Sequence, residues 1–117
     1  MAAVAITETD RFTNLIEYTG AALTTVDDWI EVSAHSSTYT FAAVVTGGAN
    51  FSLALECSFN GATTTWFTLD TSKTINSNGQ YVYLYDGKAA PRIRMRLASI
   101  NSGEPNVLPY IAVAYHG

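Results

Sequence analysis

The feature that most constrains this chain is a period of two in its apolar residues, which holds from Asp28 nearly to the end of the sequence. Successive side chains of a strand point to opposite faces, so this period predicts β-strands and does not fit a helix. The clearest run is Phe51 to Phe59, which ends at Asn60-Gly61, a dipeptide that tolerates the positive φ of a tight turn. It is the most secure strand in the sequence.

Other short runs of the same kind follow one another along the chain, with Gly, Pro and Asn between them. We predict strands at Trp29 to Ser33, Thr38 to Val45, Trp66 to Leu69, Gln80 to Tyr85, Arg92 to Leu97 and Tyr110 to Tyr115. Roughly seven or eight short strands with turns at this spacing are typical of a sandwich. The predicted fold class is therefore all-β, an antiparallel β-sandwich of jelly-roll-like form.

The beginning of the chain is less clear, and we divide the sequence into an N-terminal arm or edge segment at 1–24 and a β-sandwich domain at 25–117. Phe12, Leu15 and Ile16 have the spacing of a short helix that Gly20 could end, and an irregular strand fits them equally well. The residues around Val4 alternate as in a strand. That strand could lie at the edge of the chain's own sheet or on a neighbouring subunit.

The composition describes one domain and excludes several kinds of function. A chain of 117 residues is large enough to fold without disulfides or metal ions. Only 14% of the residues are charged, and the net charge of −4 argues against binding to a nucleic-acid backbone. No window is apolar enough to span a membrane, and Met1 to Ile6 lacks the basic start of a signal peptide. We therefore expect no nucleic-acid partner, no membrane partner and assembly in a cytoplasm.

Residues with catalytic chemistry are few and scattered. His35 and His116 belong to no catalytic or metal-binding spacing, and Asp27 and Asp28 fit an acidic turn before a strand. We therefore expect no enzyme activity, no catalytic or metal-binding residue and no cofactor. Cys57 shares a strand face with large apolar residues, so we expect a buried thiol with a raised pKa.

The most informative segment is Gln80 to Leu97, which we interpret as a hairpin with its turn at 86–91. Its hydrophobic pattern favours a register in which three tyrosines of one strand face three arginines of the other on the outer side. The pairs in this register are Tyr85 with Arg92, Tyr83 with Arg94 and Tyr81 with Arg96. Tyrosine and arginine are enriched at interfaces, so we predict an interface there; a plain solvent face and a ligand platform are the alternatives.

The two tryptophans support a different hypothesis. Sugars stack on exposed aromatic rings, so Trp29 and Trp66 could belong to a carbohydrate-binding site. Trp66 lies close to Phe67 and Leu69 in the sequence, so a place in the core fits it equally well.

Two stretches resemble small β-sandwich proteins from the virions of tailed bacteriophages. The first is the strand, turn and Trp-containing strand from Phe51 to Leu69, and the second joins Arg92 to Leu97 with the closing strand at 110–115. Related patterns occur in carbohydrate-binding sandwiches.

The resemblance implies a structural role. Phage decoration, or cement, proteins of this type dock on a shell of HK97-like major capsid protein as homodimers or homotrimers and clamp neighbouring capsomers without chemistry. It therefore implies a virion protein on the capsid surface, with the major capsid protein and itself as partners. The alternative that the resemblance leaves open is a carbohydrate-binding or host-adhesion module of a phage tail or fibre.

Overall fold

A computed structural model describes residues 3–11, 15–59 and 65–114, and over these residues the chain is all-β. It contains seven strands there: β1 (Ile6–Arg11), β2 (Leu15–Gly20), β3 (Trp29–Thr46), β4 (Asn50–Ser58), β5 (Phe67–Ile75), β6 (Gly79–Ser102) and β7 (Asn106–Ala114). The predicted fold class is confirmed. Over the described part of the chain, no helix is long and apolar enough to cross a membrane.

All seven strands belong to one antiparallel sheet with the order β1-β2-β7-β3-β6-β4-β5. The two longest strands, β3 and β6, pair along most of their length, and their register shifts where 33–38 of β3 faces 86–92 of β6. Strand β7 pairs with 39–46 of β3, whereas β4 pairs with 92–102 of β6. The irregular stretch therefore divides the sheet into two layers.

We call these the first and second layers. The first layer holds β1, β2, β7, the second half of β3 and the first half of β6, and the second layer holds β4, β5 and the remaining halves. Buried side chains of both layers form one cluster, so the sheet folds over on itself as a sandwich. Its largest members include Tyr39, Phe41 and Tyr85, whose ring centroids lie 5.9 to 6.0 Å apart.

The predicted hairpin between Gln80 and Leu97 is wrong. Strand β6 passes through 86–91 without reversing, and Gly87, with a φ of 79°, lies within it. Along one continuous strand the alternation sends Tyr85 to the same side as Ile93, and both are buried in the core. The tyrosines therefore do not face the arginines.

The three tyrosines lie on the inner side of the first layer, and the hydroxyls of two of them reach hydrogen-bond partners. Tyr81 donates to the Ser77 carbonyl oxygen and Tyr85 donates to Asp70, each at 2.7 Å, while Tyr83 packs against the core. A tyrosine can replace an aliphatic residue inside a sandwich when its hydroxyl reaches a partner. Val82 and Leu84, which the hairpin register buried, instead point outward and are 57% and 76% exposed.

Most of the other predicted strands lie at the positions where the structure has strands, but the observed strands are longer than predicted. The predicted strands at 29–33 and 38–45 are one strand, β3, which includes the backbone of His35. The strand from Phe51 is confirmed as β4, the Trp66 strand begins at Phe67 and extends to Ile75, and the last strand begins earlier, at Asn106. Asn60-Gly61, Tyr115 and His116 lie outside the described residues.

At the start of the chain the irregular-strand alternative holds where the structure describes it. Leu15 and Ile16 belong to β2, which pairs with β7, and β1 forms the edge of the sheet next to β2. Phe12, which completes the helical spacing, lies outside the described residues. The placement of Cys57 is confirmed: it is 7% exposed, and burial, with a smaller effect of Glu56, raises the pKa of its thiol.

Candidate functional site

The outer side of the second layer carries a dense group of aromatic and charged residues, which we call the arginine face. Three adjacent strands contribute to it because their outward positions come into register across the sheet. It consists of Trp29, Glu31 and Ser33 on β3, Arg92, Arg94 and Arg96 on β6, Glu56 and Ser58 on β4, Trp66 just before β5, and Asp27 just before β3.

Glu56 is the central acceptor of this face. It is 9% exposed, and its Oε1 accepts from Arg94 Nε at 2.8 Å and from Arg96 Nε at 3.0 Å. Burial works to raise the pKa of Glu56, but hydrogen bonds from Arg96 and Arg94 outweigh it, so the pKa lies below its ordinary value. The carboxyl is therefore ionised at neutral pH, and Glu56 raises the pKa of Arg96 in return.

Arg96 reaches a second carboxylate at the edge of the face. Its Nη1 donates to Asp27 Oδ1 at 2.7 Å. Asp27 has a φ of 70°, and its neighbour Asp28 accepts hydrogen bonds from the backbone of Thr24 and Thr25. Asp27 and Asp28 thus form the acidic turn that the sequence indicated, with the additional role of binding an arginine.

Arg92 is held by the other glutamate of the face. Its Nη2 and Nε donate to Glu31 Oε2 at 2.8 and 3.2 Å, and its Nη1 donates to Ser33 Oγ at 3.1 Å. The other carboxylate oxygen of Glu31 accepts from the indole nitrogen of Trp29 at 2.8 Å. The orientation of the Trp29 ring is therefore fixed by the same carboxylate that binds Arg92.

Arg94 contacts both tryptophan rings. Its guanidinium carbon lies 4.1 Å from the ring centroid of Trp66 and 5.0 Å from that of Trp29. Both distances are within the range of a cation–π interaction, which contributes roughly 0.5 to 2 kcal/mol depending on exposure. Arg94 uses Nε for Glu56, and its two Nη groups have no hydrogen-bond partner among the described residues.

These Nη groups are within reach of solvent. The side chain of Arg94 is 12% exposed. In the described part of the chain, Ser58 Oγ is the one buried side-chain polar atom without a hydrogen-bond partner, so the unpaired Nη atoms of Arg94 are not among the buried atoms. Ser58 is fully buried beside Arg92 on the same face. The arginine face therefore offers a fixed guanidinium edge between two aromatic rings, where an acceptor oxygen could bind.

The charges of the face balance one another. Its three arginines are matched by three carboxylates, on Glu31, Glu56 and Asp27. Little net positive field therefore remains over the face. The described residues contain no group of three His, Cys, Asp or Glu side chains that could hold a metal ion.

The structure separates the predicted site residues into two groups. It brings Arg92, Arg94 and Arg96, predicted as an interface, together with Trp29 and Trp66, predicted as an alternative sugar platform. Tyr81, Tyr83 and Tyr85 lie on the inner side of the other layer. Neither the interface nor the platform is tested by this placement, and both stay predictions.

The two glutamates were missed by sequence reasoning. Glu31 and Glu56 are the only carboxylates in the sequences of β3 and β4, and each occupies an outward position of its strand. A carboxylate that is removed from water needs a cationic partner, because an unpaired buried charge is costly. Three arginines alternate along β6 and could supply such partners. That combination was the available signal.

Comparisons with known proteins agree with the fold and give no family. No protein-family profile matches the chain, and no curated protein matches it in sequence. Among solved structures, the CBM36-1 domain of a multidomain xylanase from the hindgut metagenome of Trinervitermes trinervoides is similar, with a TM-score of 0.51 and 15% identity, covering 97% of this chain and 93% of that one. At such low identity the likeness shows a shared fold.

Two further structures are somewhat less similar. The xylan-binding CBM22-1 domain of Paenibacillus barcinonensis Xyn10C has a TM-score of 0.49 at 9% identity, covering 97% of this chain and 81% of that one. The SPBc2 prophage-derived protein YomS also has a TM-score of 0.49 at 9% identity, covering 89% of this chain and 97% of that one.

Proposed function

We propose that this protein is a non-enzymatic binding module that uses the arginine face, and that its role is that of a capsid decoration protein on the head of a tailed phage. The observation that carries the proposal is Arg94, which is held against Trp29 and Trp66 with both Nη groups unused among the described residues. Tryptophan and arginine dominate the binding energy of protein interfaces. The shell of an HK97-like major capsid protein is the proposed partner.

The arrangement suits binding because its side chains are ordered before a partner arrives. Immobilising a flexible side chain on association costs about 0.5 to 1.5 kcal/mol. Glu31 and Glu56 already fix the arginines, and Glu31 also fixes the Trp29 ring. A partner carbonyl or carboxylate that accepts from Arg94 would therefore meet a donor that loses little further freedom.

The test is co-sedimentation with purified expanded capsids of the phage that encodes the chain. Arg94→Ala removes the central donor, and we expect at least a tenfold weaker association with the capsids. Lys88→Ala is the matched control, because it removes one exposed cation outside the arginine face. If the unaltered protein does not associate with capsids, or if Arg94→Ala associates equally well, the proposal fails.

A carbohydrate-binding module is the second candidate, and the aromatic content of one end of the sandwich favours it. Phe59 directly follows β4, and Phe67 directly follows Trp66. Both side chains are about half exposed, and their ring centroids lie 5.5 Å apart. Exposed rings of this kind can stack on sugars, and the Nη groups of Arg94 can donate to sugar hydroxyls. This role would suit a tail or fibre module.

Tryptophan fluorescence distinguishes the two candidates. Saturable quenching by xylan, chitosan or β-1,4-galactotriose, lost in Trp66→Ala and kept in Lys88→Ala, would support the carbohydrate role. Association with capsids without any sugar response would support decoration.

A further inference from the structure

The two strands that flank Arg94 each place a glutamate beside it. In the register of the sheet, Glu31 on β3 faces Arg94 from one side and Glu56 on β4 faces it from the other. Side chains directly opposite each other on neighbouring strands have Cβ atoms about 4.5 to 5.5 Å apart. A partner group that accepts from the Nη groups of Arg94 therefore has these two carboxylates as its neighbours.

The charges of these neighbours limit which group can bind. Glu56 accepts hydrogen bonds from two arginines and Glu31 accepts from the third. With Asp27 included, the arginine face holds as many carboxylates as arginines. A further carboxylate would make the face net negative, on a chain whose net charge is already −4. Charge therefore disfavours an acidic ligand group at Arg94.

The hydrogen-bonding capacity of the site points to the same conclusion. A guanidinium only donates, and an ionised carboxylate only accepts, with room for about four hydrogen bonds on its two oxygens. Oε1 of Glu31 and Oε2 of Glu56 each accept one hydrogen bond from the described residues, so each can accept another. A group that pairs fully with this site carries both an acceptor and a donor. A carboxamide has both, whereas a carboxylate has no donor.

The aromatic rings determine the shape of the site. Trp29 lies on β3, on one side of Arg94, and Trp66 precedes β5, on the far side of β4. Their ring centroids lie 5.0 and 4.1 Å from the guanidinium carbon of Arg94. A group that reaches the Nη edge therefore enters between two aromatic side chains. An amide is planar, as the guanidinium is, so it suits a space of the same thickness.

We propose that the arginine face selects an uncharged amide of a partner protein, either an Asn or Gln side chain or a backbone peptide group. The carbonyl oxygen of the amide accepts from the Nη groups of Arg94, and its N–H donates to Glu31 or Glu56. The inference rests on the proposed function, because it names the chemical group that the same site binds. Of the two acceptors considered for Arg94, it selects the carbonyl over the carboxylate.

Selection of an uncharged group affects how binding depends on salt. Salt screens exposed charges over a Debye length of about 10 Å at 0.1 M. Binding of an amide should therefore change less than about twofold between roughly 0.05 and 0.5 M NaCl. Binding of a carboxylate to Arg94 should weaken by at least about fivefold over the same range.

The first experiment compares propionamide and propionate, two probes of nearly the same shape that differ in charge and in the presence of a donor. Each is titrated into the full chain at pH 7 while the indole N–H signals of Trp29 and Trp66 are followed by two-dimensional NMR. For so small a ligand we expect propionamide to shift both signals saturably in the millimolar range, and propionate to bind at least about tenfold more weakly. The absence of a response to propionamide, equal or tighter binding of propionate, or an equally strong response to glucose would each overturn the inference.

Two variants connect the selectivity to individual residues. Arg94→Ala removes the donor and should abolish the response to propionamide, whereas Lys88→Ala, outside the arginine face, should keep it. Glu31→Gln keeps the size of a flanking side chain and removes its charge, so the preference for propionamide over propionate should fall at least about fivefold. An unchanged preference in Glu31→Gln would contradict the role of the flanking carboxylate. If Arg94→Ala does not fold, the comparison of the two probes on the unaltered protein still decides the matter.

This inference and the proposed function can fail separately. The probes are measured on the pure protein, whereas the proposed function is measured on capsids. If capsids do not bind but propionamide binds selectively, the proposed partner is wrong and the amide selectivity is supported. If capsids bind, an Arg94-dependent association that weakens by about fivefold or more at high salt would overturn the amide selectivity and leave the proposed function in place.

Discussion

The hydroxyl of Tyr85 donates a hydrogen bond of 2.7 Å to Oδ2 of Asp70, and this bond joins the first layer to the edge strand of the second. Lys73 donates to the same oxygen at 3.0 Å. The hydrogen bonds from Tyr85 and Lys73 lower the pKa of Asp70 to about 2, while burial and Asp70 raise the pKa of Tyr85. At neutral pH the phenol is therefore protonated and the carboxyl is ionised, as this bond requires.

The first prediction concerns stability in acid. The ordinary pKa of the Asp70 carboxyl is 3.8, and its folded value is lower, so its contribution is complete above about pH 4 and is lost as the pH falls towards 2. We expect Asp70→Asn to lower the free energy of unfolding at pH 7, and the difference from the unaltered protein to disappear near pH 2. Urea unfolding followed by circular dichroism at several pH values measures this.

Tyr85→Phe separates the effect of the bond from that of the carboxyl itself. Without the phenol, the pKa of Asp70 should rise towards its ordinary value of 3.8, so the loss of stability in acid should be smaller and should be complete at a higher pH. Tyr110→Phe is the control, because Tyr110 lies on the outer side of the first layer beside Ala42, whereas Tyr85 reaches Asp70 from the inner side. An acid profile of Tyr85→Phe that coincides with that of Tyr110→Phe would exclude a role for the bond.

The second prediction concerns the central carboxylate of the arginine face. Glu56→Gln keeps the size of the side chain but leaves Arg94 without a charge partner among the described residues and leaves Arg96 with Asp27 alone, at a site where Glu56 is 9% exposed. Breaking a fully buried ion pair costs about 3 to 5 kcal/mol, and because Arg96 is partly exposed we expect about 1 to 3 kcal/mol. Urea unfolding at pH 7 checks the value. Glu104→Gln, at an exposed position, should change stability by less than about 0.5 kcal/mol, and a loss as small as this in Glu56→Gln would contradict the assigned role.

The sequence predicted the sandwich well because alternation is a local signal. Each residue from Phe51 to Cys57 that was placed inward by its period is buried, and Cys57 is among them. What failed was the direction of the chain at 86–91. Asp86-Gly87 and Pro91 are turn residues in most settings, but here Gly87 bends a strand without reversing it.

The error at the bend also assigned the wrong faces. If side chains are ranked by hydrophobicity alone, Val82 and Leu84 are placed inside and the tyrosines outside. If the period of two is instead continued through the whole of β6, Tyr85 falls on the same side as Ile93, and Leu84 falls on the same side as the arginines. Placing Tyr85 inside is favourable only if its phenol has a hydrogen-bond partner. That partner, Asp70, lies on another strand. A contact of this kind is not visible in a local pattern. For the same reason the arginines were paired with tyrosines, when their partners are Glu31 and Glu56.

The third prediction concerns the turn between β3 and β4. Gly47 has a φ of 98°, and a Cβ atom at this position would lie 2.2 Å from the carbonyl oxygen of Glu104. Gly47→Ala should therefore cost about 2 to 4 kcal/mol, from both the backbone conformation and the clash. Gly48 is the control, because it has a φ of 64° and open space around its Cα, so Gly48→Ala should cost only about 1 kcal/mol. Thermal unfolding of both variants measures the difference, and equal losses would contradict the close approach of Glu104.

The last prediction concerns the single cysteine. Cys57 is 7% exposed and burial raises the pKa of its thiol, so at pH 8 it is both inaccessible and mostly protonated. Ellman's reagent should therefore label Cys57 at least 100-fold more slowly than it labels a thiol at position 72 in the variant Ser72→Cys, since Ser72 lies at an exposed position of β5. In urea the chain unfolds and the two thiols should react at similar rates. Rapid labelling of Cys57 in the folded protein would mean that the end of β4 opens readily, and the core described around Leu55 and Tyr39 would then not be closed at that end.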